Sequence, residues 1–170
     1  MGNWKGFEDL LRLGLIKKLP QLAAVQAEGS PSLVRAFEMG LKEAIPGPQD
    51  TIAGGLSQVV TPNSVLALKA LRASNGAAVA VKDEEMLAAI LLLARKTGIY
   101  AEPAGVAALA GLRKMVRDGR VSRKNRVVVL ISGSGLKDSL FSRFLENSDF
   151  PRIDSSLSQL ERALLPTGGI

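Results

Sequence analysis

Residues 126–138 of the chain read RVVVLISGSGLKD. The five apolar residues 127–131 are rich in β-branched side chains, and the tetrapeptide SGSG follows them directly. Such a run is typical of a strand buried on both faces of a parallel sheet, because covering helices remove the need for a polar side. Ligands of open α/β sheets bind at the carboxyl ends of strands. The stretch therefore predicts a buried strand that delivers Ser132 to a cofactor or substrate, although a strand that leaves the core through an ordinary turn fits equally well.

Short apolar strands and amphipathic helices alternate along the rest of the chain. The pattern predicts strands at residues 22–27 and 77–81, and helices at residues 4–13, 32–39, 63–74, 83–96, 104–117 and 155–164. Residues 52–60 fit no regular element, because Gly54 and Gly55 interrupt them. Alternation of strand and helix predicts an α/β fold, with a parallel sheet flanked by helices.

The composition of the chain argues against several kinds of functional site and partner. The chain of 170 residues contains neither cysteine nor histidine, which excludes disulfides, Cys/His metal sites and an imidazole base within it. The 22 basic and 16 acidic residues give a net charge of +6, but no aromatic residue interleaves with the densest basic cluster at residues 117–126. We therefore predict no nucleic-acid partner. With no apolar run of about 18 residues and no signal-peptide pattern, we also predict no membrane partner and a cytoplasmic location.

Five segments of the chain together resemble a known family. They are GN with WKGF, LGLIKKLPQLAAVQAEGSPSLVRAF, ALKALRASNGAAVAVKDEE, GIYAEPAGVAALAGL and VVVLISGSGLKD. In order and spacing they are similar to the C-terminal part of threonine synthases, which are pyridoxal-phosphate enzymes of the tryptophan synthase β-type fold (fold-type II). The resemblance covers residues 2 to about 138. It implies most of the large domain of such an enzyme at residues 1–145, followed by a C-terminal helix and tail at residues 146–170.

The resemblance also implies which residues bind pyridoxal phosphate. Gly2 and Asn3 match part of the family's phosphate-binding loop, which leads into a helix. Ser132 matches a Ser or Thr that hydrogen-bonds the pyridine nitrogen, and Gly133 follows it in the same motif. Glu102 resembles a glutamate near the cofactor ring, and an acid at a helix N-terminus is an equally good explanation for it.

Several family features are absent. No segment resembles the motif of the Schiff-base lysine, only one Gly-Asn of the phosphate loop is present, and the loop that grips the substrate carboxylate is missing. Ser134 stands where relatives often have histidine. The resemblance therefore implies a C-terminal fragment with no catalytic residue of its own, which is inactive alone.

The parent enzyme would convert O-phosphohomoserine, a small amino-acid substrate, and water to threonine and phosphate, as a homodimer. Two alternatives remain open. The EPAG sequence at residues 102–105 is common in serine/threonine dehydratases, so the chain could come from a dehydratase or a β-replacing relative on the same fold. The missing lysine motif would also suit a non-catalytic module derived from the family.

Overall fold

The structure is a computed structural model that describes residues 2–138, 154 and 156–164, with the side chains of residues 163 and 164 left out. The chain divides into two compact units, Met1–Lys137 and Asp138–Ile170. The predicted boundary between residues 145 and 146 lies outside the described residues. No helix in the described ranges is long and apolar enough to cross a bilayer.

The helices and strands follow the predicted order closely. In the first unit they are α1 (Gly2–Arg12), β1 (Ala23–Ala27), α2 (Ser32–Glu38), α3 (Ser64–Ala73), β2 (Ala77–Val81), α4 (Asp83–Thr97) and α5 (Pro103–Arg117). Two short 3₁₀ turns occupy Gly54–Leu56 and Gly135–Lys137. The second unit contains α6 (Leu157–Leu164).

Strands β1 and β2 pair in parallel, with Ala23 opposite Ala77 and Ala27 opposite Val81. Parallel neighbours need a long crossover connection, and here it contains α2 and α3. Side chains of β1 alternate between two hydrophobic clusters, as the period of a strand requires. Val25 and Ala27 pack in the cluster formed with α4 and α5, whereas Ala24 packs in the cluster formed with α2 and α3. The predicted α/β fold, a parallel sheet flanked by helices, is confirmed.

Helix α5 lies very close to the sheet. Gly111 faces β1, and a Cβ added to it would lie 2.4 Å from Val25 Cγ2. The far end of α5 is tied to the neighbouring elements, because Lys114 Nζ donates to the Ala80 carbonyl oxygen over 2.7 Å and Arg117 pairs with Glu85 over 2.8 Å. The helix is therefore fixed along its length, which fixes the position of its N-terminal residues.

The predicted buried strand at residues 127–131 is wrong for this chain. Residues 126–132 are assigned to no helix or strand, and 96% of Val128 and 65% of Leu130 are exposed. A strand needs a neighbour to satisfy its backbone groups, and apolar β-branched residues cannot supply one by themselves. In the part of the chain that the structure describes, the sheet has only the strands β1 and β2, so residues 127–131 have no paired neighbour.

Candidate functional site

The loop at residues 132–135 lies against the N-terminus of α5. The Ser132 amide donates to the Gly105 carbonyl oxygen over 3.3 Å. In the opposite direction, the Glu102 amide donates to the Gly133 carbonyl oxygen over 3.2 Å. These reciprocal bonds join Ser132 and Gly133 to the first turn of the helix, although no strand leads into the loop.

Two further contacts extend this attachment towards the residues before α5. Ala101 and Ser134 form an isolated antiparallel bridge. The Gly135 amide donates to the Tyr100 carbonyl oxygen over 3.0 Å. Ala101 is only 1% exposed and belongs to the core, whereas Tyr100 before it is 36% exposed. The loop is thus attached to a rigid surface over its whole length.

Glycines allow this close approach. A Cβ added to Gly105 would lie 1.5 Å from the carbonyl oxygen of Ser132. Gly133 adopts a positive φ of 72°, and a Cβ added there would lie 2.1 Å from Glu102 Oε1. The positive φ favours glycine at residue 133, and a side chain there would also displace the carboxylate of Glu102. The sequence singled out Gly133, but it gave Gly105 no role; the EPAG sequence was the signal that could have found it.

The carboxylate of Glu102 lies beside this loop. Glu102 occupies the residue before α5, and Pro103 is the first residue of that helix, where its missing N–H costs nothing. Glu102 Oε2 is 3.5 Å from Lys137 Nζ, and 21% of the Glu102 side chain is exposed. Ser132 is exposed, and its hydroxyl makes no hydrogen bond to any described residue. The exposed Ser132 and the partly buried Glu102 therefore belong to two segments that backbone hydrogen bonds hold together.

Gly2 and Asn3 are not linked by hydrogen bonds to the loop at residues 132–135 within the described residues. Both are exposed and belong to the first turn of α1, so the predicted turn before the helix is instead part of it. Among the described residues, no hydrogen bond or ion pair joins either of them to Ser132, Gly133 or Glu102. The first N–H groups of a helix have no partner within it and are suited to an anion.

Residues 52–60, which fit no element by sequence, contact the first turn of α5. Ile52 is held by its amide, which donates to Asp83 Oδ2 over 2.9 Å, and the Gln58 amide donates to Ser30 Oγ over 3.1 Å. Between these anchors, Gly55 approaches the first turn of α5: a Cβ added to it would lie 3.1 Å from Ala104 Cβ. Residues 52–60 therefore contact the residue next to Gly105.

Glu85, which contacts the end of α5 far from the site, has a shifted pKa. Partial burial acts to raise the pKa of Glu85, but hydrogen bonds from Arg117 and from the Lys82 amide lower it, and the pKa lies below its ordinary value. The Glu85 carboxylate accepts from Lys82 over 3.0 Å and from Arg117 over 2.8 Å. This group joins the start of α4 to the end of α5, so we assign it to stability and not to chemistry.

Comparison with known proteins identifies the family. The family model described as pyridoxal-phosphate dependent enzyme matches residues 1–133. This chain belongs to that family. The threonine synthase of Methanocaldococcus jannaschii is 38% identical over 163 residues, which are 95% of this chain and 40% of the relative. That of Methanosarcina acetivorans is 41% identical over 136 residues, 79% of this chain and 34% of the relative.

Solved structures agree on the fold. The L-serine ammonia-lyase of Rhizomucor miehei superposes with a TM-score of 0.60 at 24% identity, covering 81% of this chain and 44% of that enzyme. Maize serine racemase superposes with a TM-score of 0.56 at 18% identity, over 82% of this chain and 42% of that protein. The chain thus spans about two fifths of the length of its relatives. The resemblance to threonine synthases and the prediction of pyridoxal phosphate as cofactor are confirmed.

The residues of the loop fit this cofactor. Pyridoxal phosphate needs a partner for its ring nitrogen and donors for its phosphate, and the unbonded hydroxyl of Ser132 suits the first need. The free amides at the start of α1 suit the second. Gly105 and Gly133 contribute indirectly, because they let the loop that carries Ser132 pack against the start of α5.

Proposed function

We propose that this chain is the C-terminal part of a threonine synthase-like lyase, which converts O-phosphohomoserine and water to threonine and phosphate. The observation that carries the proposal is the loop at residues 132–135, whose backbone bonds attach Ser132 and Gly133 to Glu102 and Gly105 at the start of α5. Similarity to curated threonine synthases over 95% of the chain supports this branch of the family. A cytoplasmic location, a small amino-acid substrate and a homodimeric parent enzyme belong to the same proposal.

Ser132 and Gly133 carry the cofactor-facing part of the proposal. Ser132 Oγ bonds the pyridine nitrogen, and the bond from the Ser132 amide to the Gly105 carbonyl oxygen holds the backbone that carries it. The cofactor, when bound, supplies an electron sink for the substrate carbon skeleton. A hydroxyl partner leaves the ring nitrogen largely unprotonated, in contrast to a carboxylate, and so moderates that sink.

Two further groups complete the proposed contacts. Gly2 and Asn3, at the start of α1, donate backbone amides to the cofactor phosphate, because the helix terminus offers free donors and a positive dipole end. Glu102 lies near the ring, and its Oε2 is 3.5 Å from Lys137 Nζ. We propose no catalytic residue in this chain, because no lysine in it matches the family's cofactor-bound lysine. The chain alone is then inactive.

A chimera tests the proposal. This chain would replace the matched region of the Methanocaldococcus jannaschii threonine synthase, and phosphate release from O-phosphohomoserine would be measured alongside the cofactor absorption spectrum. We expect phosphate release, a reduction of at least about tenfold in Ser132→Ala, and substantial recovery in Ser132→Thr, which keeps the hydroxyl. The spectrum of the bound cofactor should change in Ser132→Ala even where turnover is too slow to measure.

The same chimera separates the alternatives. Ammonia release from L-serine or L-threonine without phosphate release would support the dehydratase alternative, which the EPAG sequence at residues 102–105 favours. Cofactor binding with neither activity would favour a non-catalytic module. Turnover by this chain alone would contradict the proposal that the cofactor-bound lysine lies elsewhere. If the spectrum of the bound cofactor were unchanged in Ser132→Ala, the hydroxyl of Ser132 would not contact the cofactor.

A further inference from the structure

The last residue of α5 and the turn after it, residues 117–126, carry the densest positive charge in the sequence and are called here the basic turn. Within these ten residues, five are basic and one is acidic, so the net charge is +4: Arg117, Arg120, Arg123, Lys124 and Arg126 against Asp118. All six are exposed. Two thirds of the net charge of +6 is therefore concentrated in this one turn.

Most of these charges have no partner within the molecule. Arg117 pairs with Glu85 over 2.8 Å and lies 3.8 Å from Asp118, and a cation at a helix C-terminus is favourable in itself. Over the described part of the chain, no ion pair or side-chain hydrogen bond reaches the other four basic side chains, those of Arg120, Arg123, Lys124 and Arg126. Helix capping accounts for the first cation of the turn, but not for these four.

Local hydrogen bonds fix the backbone that presents these cations. Gly119 adopts a positive φ of 70°, and the Arg120 amide donates to the Met115 carbonyl oxygen over 2.8 Å. Asn125 Oδ1 accepts from the Ser122 amide over 2.8 Å, and the Asn125 amide donates to the Ser122 carbonyl oxygen over 3.1 Å. Because these bonds order the turn before any ligand arrives, binding need not include the cost of ordering it.

We propose that the basic turn binds a short segment of a partner polypeptide that is rich in aspartate and glutamate. A guanidinium group can bond both oxygens of a carboxylate at once, and three of the four cations without a partner are arginines. The loop at residues 132–135 is attached to the start of α5, whereas the basic turn begins at its end, about 22 Å away along a helix of 15 residues. A partner can therefore bind here without covering Ser132.

Two observations favour a short polypeptide over a nucleic acid. The basic turn contains no aromatic residue on which a base could stack. The positive surface is also short, because Arg117 contacts Glu85, and Asp83 and Glu84 stand beside Glu85 in the first turn of α4. A long polyanion that continues past Arg117 meets these acidic residues, whereas a short acidic segment need not extend so far.

A second copy of this chain fits the basic turn poorly. The longest acidic run in the sequence is residues 83–85, and one of its three carboxylates, that of Glu85, is already paired with Arg117. Each copy also carries a net charge of +6, so two copies repel each other at low salt. We therefore expect the acidic segment to belong to a different polypeptide.

Binding of a short, fluorescently labelled oligoglutamate peptide to the complete chain tests the proposal, with anisotropy measured at low salt. Arg120→Gln, Arg123→Gln and Lys124→Gln together remove three cations without partners and should weaken binding at least about tenfold. Added salt should weaken binding to the unaltered chain, because the contacts are exposed. The assay involves neither cofactor nor turnover, so its result does not depend on the proposed function.

A variant that loses the same charge elsewhere is the control. Lys17→Gln, Lys18→Gln and Lys69→Gln remove three exposed positive charges outside the basic turn. This variant should bind the peptide within about twofold of the unaltered chain, because charges far from the turn are screened. Equal weakening in the two triple variants would mean that only the net charge matters, and would overturn the proposal.

Two other results would also overturn it. Duplex DNA that binds more tightly than the peptide, and loses this binding when Arg120, Arg123 and Lys124 are replaced, would assign the basic turn to a nucleic acid. No measurable binding of the peptide at low salt would mean that the turn does not hold an acidic segment.

Discussion

Substitution of Gly105 by alanine should detach the loop at residues 132–135 from α5. A Cβ at Gly105 would lie 1.5 Å from the Ser132 carbonyl oxygen, and real Cβ contacts below 3.0 Å essentially never occur. The oxygen must therefore retreat by at least 1.5 Å, the difference between these distances. The obstacle is backbone, so no side-chain rotation can relieve it.

The size of the effect follows from the bonds that the movement breaks. Ser132 N to Gly105 O and Glu102 N to Gly133 O, at 3.3 and 3.2 Å, cannot survive such a shift. At about 0.5–1.5 kcal/mol for each hydrogen bond, the loss is roughly 1–3 kcal/mol. Alanine is about 1 kcal/mol more favourable than glycine inside a helix, so this gain offsets part of the stability that the broken hydrogen bonds cost.

A glycine in open space provides the control. Gly6 is an exposed residue of α1, and a Cβ added to it would have no neighbour within 4 Å. Gly6→Ala receives the helical gain without the collision, so the difference in unfolding free energy between the two variants isolates the cost of the collision. Denaturant unfolding should place Gly105→Ala roughly 1–3 kcal/mol below Gly6→Ala. Equal stabilisation by both substitutions would refute the close packing of the loop on α5.

Three other substitutions test the supports of the site. Glu85→Gln should destabilise the chain by about 1 kcal/mol at neutral pH through the Arg117 contact. Because the folded pKa of Glu85 is depressed, this contribution is complete above its unfolded pKa and disappears as the pH falls through the folded value, so the two unfolding curves should converge in acid. Asp83→Ala removes the acceptor of the 2.6 Å bond from Thr51 and should speed proteolysis of residues 52–60. Met86→Ala, at a fully buried position, should cost about 2–5 kcal/mol in thermal or denaturant unfolding.

The elements with local signals were predictable from sequence. The strand at residues 77–81 was predicted with its observed bounds, and α4 ends one residue after its predicted end. Asp83, Glu84 and Glu85 in the first turn of α4 and a glycine with positive φ at residue 98 mark its two ends in both sequence and structure. Such signals depend on residues that are close together in the sequence, so they can be recognised from one sequence alone.

The apolar run at residues 127–131 could not be read in the same way. An apolar, β-branched composition indicates a strand that is covered on both faces and paired at its edges. Whether the covering residues and neighbouring strands are present depends on other parts of the sheet. Pairing is a long-range property, and no local pattern in this run reveals which strand would lie beside it. The prediction of a buried, paired strand was therefore wrong, although Ile131 packs against a core cluster.

The site was only partly predictable, for a related reason. Sequence and resemblance selected Ser132, Gly133 and Glu102, and the structure brings these three together through backbone bonds that no pattern of side chains encodes. Gly105 was missed because its role is to lack a side chain opposite the Ser132 carbonyl, which is 27 residues further along the chain.

The hydrogen bonds between the loop at residues 132–135 and the start of α5 position Ser132 without a strand leading into it. The position of Ser132 is fixed by the first turn of α5, which is itself anchored at its far end by Lys114 and Arg117. Residues 126–131, upstream of the loop, contribute no hydrogen bond to that position within the described chain. The backbone at Ser132 is therefore held by α5 whether or not these residues pair with a strand. Because this part of the loop is already in place, the binding of a cofactor at Ser132 need not include the cost of ordering the loop backbone.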